Sequence, residues 1–218
     1  RLVLAIAASV TVGPLSSAEK DAVKSDVSTG LRPFFERFDA DRGNLNRFYN
    51  IPLSGGDHKR RLAFYQEQQQ ALEKIDFDGL SREGQVDYLL LRNEFIHTRK
   101  KIVRERGLDE EVLPLMPFWK PIVARLEAHR RLEPVDGKTV AANLEEIEGQ
   151  IDDARGALER SLAEARKRWD KETAERASRR VRDLSGALSR WFQFYNGYSP
   201  LFSWWVKQPA QQVREALD

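Results

Sequence analysis

Apolar residues recur at spacings of three and four along most of the chain, and nowhere alternate with polar ones long enough to make a half-buried strand. The stretch 57–75 carries Leu62, Phe64, Tyr65, Leu72 and Ile75 on a helical period, behind a turn at Ser54-Gly55-Gly56-Asp57 that also supplies a capping side chain. After a break at 76–80, Ser81 reads as the N-cap of a helix to about residue 106, with Val86, Leu89, Leu90, Phe95, Ile96 and Ile102 as its apolar face. Gly107, Pro114, Pro117 and Pro121 make 107–121 an apolar connector, a short helix follows to about residue 131, and 133–137 is a turn that Pro134 and Gly137 keep from being helical.

From Val140 the period is most regular. Leu144, Ile147, Ile151, Ala154, Leu158, Leu162, Ala165 and Trp169 form one stripe, and Ala177, Val181, Leu184, Leu188, Trp191 and Tyr195 form a second that ends at the C-cap pair Asn196-Gly197. The two stripes predict a long antiparallel helical hairpin, about 138–168 and 171–196, turning near 170–173. Nothing there forbids one continuous helix, but ordinary helix lengths favour the hairpin. Ser199-Pro200 opens a further helix, with serine at the cap and proline in the first turn. The fold class expected is all-α, a multi-helix bundle with short Gly/Pro punctuation.

Composition narrows the chemistry. A chain of 218 residues with 41% hydrophobic side chains has enough apolar surface to fold. Thirty-six Lys and Arg against 34 Asp and Glu leave a net charge of +2, so no global field draws nucleic acid or anionic lipid. No cysteine is present, which removes disulfides, thiolate metal sites and thiol nucleophiles. Arg1, an apolar run over 2–15 and Ser16-Ser17-Ala18 form a signal-peptide pattern with cleavage after Ala18, and the run is too short to span a hydrocarbon core of roughly 30 Å. An exported, periplasmic or extracellular protein is expected, with a signal peptide at 1–18 and a helical region at 19–218. The start without Met and the stop within a helical pattern at Leu217-Asp218 read as a segment of a longer chain.

No catalytic or cofactor motif stands out. His58, His97 and His129 are the only histidines, and no His-Glu-x-x-His, Gly-x-Ser-x-Gly, P-loop or dinucleotide fingerprint occurs. Glu94 and His97 form a Glu-x-x-His, but carboxylate-bridged di-iron bundles need two such motifs, so a surface acid beside a hydrogen-bonded histidine is the expected reading. Arg99, Lys100, Lys101, Arg104 and Arg106 are read as closing a helix, where cations complement the dipole, and without interleaved aromatics they do not suggest nucleic acid. The conspicuous stretch is 191–205, eight aromatics in fifteen residues, which one helix cannot bury on a single face. Trp191, Tyr195, Tyr198, Phe202, Trp204 and Trp205 are its candidate groove or docking residues; the plainer reading is a core corner of the complete protein.

Three blocks carry a resemblance. FDADRGNLNRFYN at 38–50, IDFDGLSREGQVDYLLLR at 75–92 and the aromatic stretch ending in Trp204-Trp205 resemble the bacterial family catalogued as domain of unknown function 885, over most of 31–218. The resemblance implies an exported protein of several hundred residues, with a helical fold similar to zinc metallopeptidases and a His-Glu-x-x-His helix in the C-terminal half. Those residues are not in this chain, so no catalytic, cofactor-binding or metal residue is assigned here, and zinc is implied only for the longer protein. On that resemblance, 19–218 would form helical walls of a cleft completed by the remainder of the same chain, with a peptide as the substrate of the whole. An envelope helical module that binds a partner through 191–205 is the alternative. Neither reading involves nucleic acid or a stable membrane span.

Overall fold

The computed structural model describes residues 31–163 and 169–218; the expected signal peptide at 1–18 and the segment 164–168 lie outside them. The described residues form an all-α bundle: α1 (Arg32–Phe48), α2 (Gly55–Leu72), α3 (Arg82–Val112), a 3₁₀ turn (Leu113–Leu115), α4 (Trp119–Arg130), α5 (Gly137–Ala163), α6 (Lys171–Tyr195) and α7 (Pro200–Leu217). No described helix is long and apolar enough to cross a membrane.

Local chemistry sets the boundaries. Ser54 caps α2 by accepting from the Asp57 N–H at 3.2 Å, Ser81 caps α3 through the Gly84 N–H, Asp170 caps α6 through the Thr173 N–H and Ser199 caps α7 through the Phe202 N–H. Asp136 accepts from both the Thr139 N–H and hydroxyl and so opens α5, with Gly137 as its first residue rather than the last of a turn. A Cβ at Gly137 would stand 3.1 Å from the Phe202 Cα, so the absent side chain lets α5 and α7 close on each other. At the far end of α6, Asn196 is extended and Gly197 alone takes the positive φ of 87°.

Two apolar clusters organise the helices. In the first, Phe38 of α1 meets Phe64 and Tyr65 of α2 and Phe95 of α3, with ring centroids 4.9–6.2 Å apart, and Leu31, Leu45, Leu72, Leu91 and Ile102 complete the cluster. Each aromatic pair of this kind adds roughly 0.5–1.5 kcal/mol beyond its buried area. In α1 the stripe of Phe34, Phe38 and Leu45 includes Arg42, whose guanidinium lies over the Phe38 ring at 5.3 Å. The second cluster joins Val112, Met116, Ile122 and Leu126 to Val140, Leu144, Ile147 and Ile151 of α5, Leu184, Leu188 and Trp191 of α6, and Phe202, Val206 and Val213 of α7.

α3 belongs to both clusters. At about 1.5 Å per residue it is a rod of roughly 46 Å, and it buries Leu91, Phe95 and Ile102 in the first cluster and Val112 in the second. Its buried seam is Gly84, Leu91, Phe95, Ile102, Asp109 and Val112, whereas the expected face members Val86, Leu89 and Leu90 are exposed. Small and charged residues at seam positions hide that period. The helix also passes straight through Gly107, which shortens the expected connector to the residues around Pro114 and Pro117.

The expected helices at 138–168 and 171–196 are α5 and α6, separate helices divided before Asp170. The two do not pack chiefly on each other as a hairpin would: α5 lies along α7, whereas α6 spreads its contacts evenly over α7, α4 and α3. The α5 stripe is buried only as far as Ile151, and Leu162 is exposed. In α7, Pro209 sits inside the helix with its ring buried, at the cost of the backbone bond its N–H would have made.

Candidate functional site

Where α6 crosses α3, a cleft of about 780 Å³ opens between them, with the first turns of α2 on a third side and the connector 49–54 as its floor. The connector is pinned from both sides. Asp57 accepts from the Ile51 N–H at 2.9 Å and from Arg130 of α4, while Ser54 gives its hydroxyl proton to Glu127 of α4 at 2.6 Å. Arg130 also places its guanidinium over Phe48 and Tyr49, 5.4 and 5.2 Å from the ring centres. Within this connector Leu53 is held at φ 62°, a left-handed conformation that branched and bulky side chains resist, and its contact with the second core keeps it there.

The walls are strongly cationic. Arg61 of α2, Lys101 of α3, and Arg176, Arg179, Arg180, Arg182 and Arg190 of α6 face it, against the carboxylates Asp57, Glu105, Asp109 and Asp183. Every one of these carboxylates is already engaged. Arg180 binds Asp109 in a forked pair at 2.8 and 2.9 Å and reaches Asp183 at 3.1 Å, and Arg176 binds Glu105 at 3.1 Å. Burial works to lower the Arg180 pKa, but its bonds to Asp109 and Asp183 outweigh burial and hold it above its ordinary value. Arg61, Lys101, Arg179 and Arg190 make no hydrogen bond or ion pair among the described residues, and Arg182 is tied only to the Ser178 hydroxyl at 2.7 Å. His58 sits on the same wall with its pKa lowered, first by burial and then by the field of Arg106 and Arg61.

A second recess of about 330 Å³, lined by Leu126, His129, Trp191 and Phe194, adjoins the cleft and shares Asn50, Ile51, Pro52 and Arg190 with it. His129 shares a hydrogen bond with the Tyr195 hydroxyl at 2.9 Å; burial lowers the histidine pKa and raises that of the tyrosine. An arginine-rich cleft and an aromatic recess therefore lie side by side.

The chain matches no protein-family model, no curated protein and no solved structure.

The six aromatic residues expected to form a docking surface divide. Trp191 and Phe202 are buried in the second core, with ring centroids 5.8 Å apart, and of the two Trp191 also lines the recess. Tyr195 and Trp205 are half-buried, while Tyr198 is 88% and Trp204 72% exposed. Phe194 and Leu201, not singled out from the sequence, join the exposed set at 62% and 68%.

Glu94 and His97 are both exposed, and Glu94 accepts from the Thr98 hydroxyl; His97 makes no hydrogen bond among the described residues, contrary to expectation. Among the described residues no three His, Cys, Asp or Glu side chains are grouped to hold a metal. The basic run 99–106 does not close a helix, because α3 continues to Val112; Arg99 instead bonds Gln69 at 2.6 Å, Arg106 bonds Glu110, and only Lys101 reaches the cleft. The cleft itself lacked a recognisable sequence signal except the density of arginines in α6.

Proposed function

We propose that the chain is a non-catalytic helical region of an exported protein resembling zinc peptidases, forming walls of a larger cleft completed by other residues of that protein. One observation carries the reading: Phe194, Tyr198, Leu201 and Trp204 leave an apolar concentration in solvent at the α6–α7 corner, of the kind that marks an interface rather than a finished surface. The three sequence blocks at 38–50, 75–92 and 191–205 supply the family context. Zinc, in this reading, belongs to the longer protein and would activate a water for attack on an amide there.

The division of labour predicts that the chain alone does not hydrolyse peptides. The purified chain and the longer protein are assayed on a peptide library with added zinc and then with chelator. Chelator-sensitive hydrolysis by the longer protein only is the expected result; chelator-sensitive hydrolysis by the chain alone contradicts it.

A further inference from the structure

We propose that the cleft between α3 and α6 binds a short, extended acidic peptide segment, its carboxylates held by Arg61, Lys101, Arg179 and Arg190 and an apolar residue lodged in the recess beside Trp191. The inference is independent of the peptidase reading, since it rests on what the cleft walls leave unpaired.

Four cations without a hydrogen bond or ion pair converge on one cavity from three helices, while every carboxylate on the same walls is taken by a neighbour. Like charges held together in a concave site raise the local potential and attract an anion, even on a molecule of net charge +2. The chemistry favours a carboxylate. Among the described residues the helix N-terminus that lines the cleft is that of α2, and its first turn already holds the Asp57 carboxylate, whose charge opposes a phosphate there. Arginine forks make two-point contacts with carboxylates and phosphates alike, and within this wall Arg180 already makes one with the Asp109 carboxylate.

The shape favours a peptide. A nucleic-acid strand needs aromatic platforms repeated along the basic groove, and here Tyr49 is the only Phe, Trp or Tyr among the described residues of the basic compartment. The larger rings are gathered instead in the adjoining recess of about 330 Å³, which is suited to one apolar side chain. Gly186 lies midway along the α6 wall, where an added Cβ would meet only the Arg190 guanidinium at 3.5 Å, so ligand backbone approaches the helix closely there.

The test is fluorescence anisotropy of a labelled glutamate-rich peptide containing one phenylalanine, titrated with the intact chain. Binding in the range of roughly 1–100 µM is expected, weakening at least about tenfold in Arg179→Ala/Arg190→Ala and at raised salt. Both arginines are exposed, so the variant keeps its fold, which circular dichroism verifies; Lys207→Ala/Arg214→Ala on α7 changes charge equally and leaves binding intact. Gly186→Leu, which fills the wall without changing charge, also weakens binding. The glutamine version of the peptide, inorganic phosphate and an oligothymidylate of equal charge serve as competitors. No saturable binding, equal loss in the α7 control, or competition by phosphate or oligothymidylate as strong as by the acidic peptide overturns the proposal.

Discussion

Arg180 of α6 holds Asp109 of α3 by two parallel hydrogen bonds, Nε to Oδ1 at 2.8 Å and Nη2 to Oδ2 at 2.9 Å. The Asp109 side chain is only 12% exposed, in the seam of a helix that serves both apolar clusters, and the pair is reinforced by Arg176 and Glu105. It fixes the crossing of α3 and α6, and with it the width of the cleft.

Removing one partner of such a pair strands the other charge in a desolvated place. Asp109→Ala is expected to destabilise the chain by about 2–4 kcal/mol, slightly under the figure for a fully buried pair because Arg180 keeps some solvent contact. Urea denaturation measures it, and the Asp109→Leu/Arg180→Met double variant should recover much of the loss.

Two glycines give opposite expectations. Gly107 lies inside α3 with open space where a Cβ would go, so Gly107→Ala should stabilise by about 0.5–1 kcal/mol. Gly137→Val pushes a branched side chain against the Phe202 backbone and should destabilise by about 1–3 kcal/mol. Thermal melts of the two variants separate these outcomes, and a loss of stability in Gly107→Ala would contradict the continuous α3.

Acidification should weaken the fold through its histidines. His58 and His129 have pKa values lowered from 6.5, largely by burial, so the unfolded chain takes up protons that the folded chain resists. Their stabilising contribution is complete above the ordinary value, is lost as pH falls from there to the depressed folded-state values, and changes no further below them. The unfolding free energy of His58→Gln/His129→Gln should fall less than that of the parent between about pH 7.5 and about pH 5.5.

The periodic helices were legible from sequence wherever the seam is made of hydrocarbon, as in α5 as far as Ile151 and in α6 from Leu184 to Trp191. They were hard to read wherever the packing face uses other groups. Arg42 covers Phe38 in α1, and Gly84 and Asp109 take seam positions in α3, so the face inferred from Val86, Leu89 and Leu90 pointed to solvent instead. The aromatic density of 191–205 marked an unusual corner correctly, but burial depends on which side faces α7, and that is set by contacts far apart in the chain. The cleft was hidden for the same reason: α2, α3 and α6 each bring ordinary surface charges, and only their convergence makes a cationic site.

Two apolar clusters are joined into one body by α3 and by the charged crossing of α3 and α6, with the cleft preformed at the joint. Equilibrium urea unfolding followed by two probes tests this most directly, because all five tryptophans lie at or beyond position 119, outside the first cluster, while far-ultraviolet circular dichroism sees every helix. Coincident transitions, both shifted to lower urea by Asp109→Ala, are the predicted result. A tryptophan transition separated from the helical one, or one that Asp109→Ala leaves in place, would contradict it.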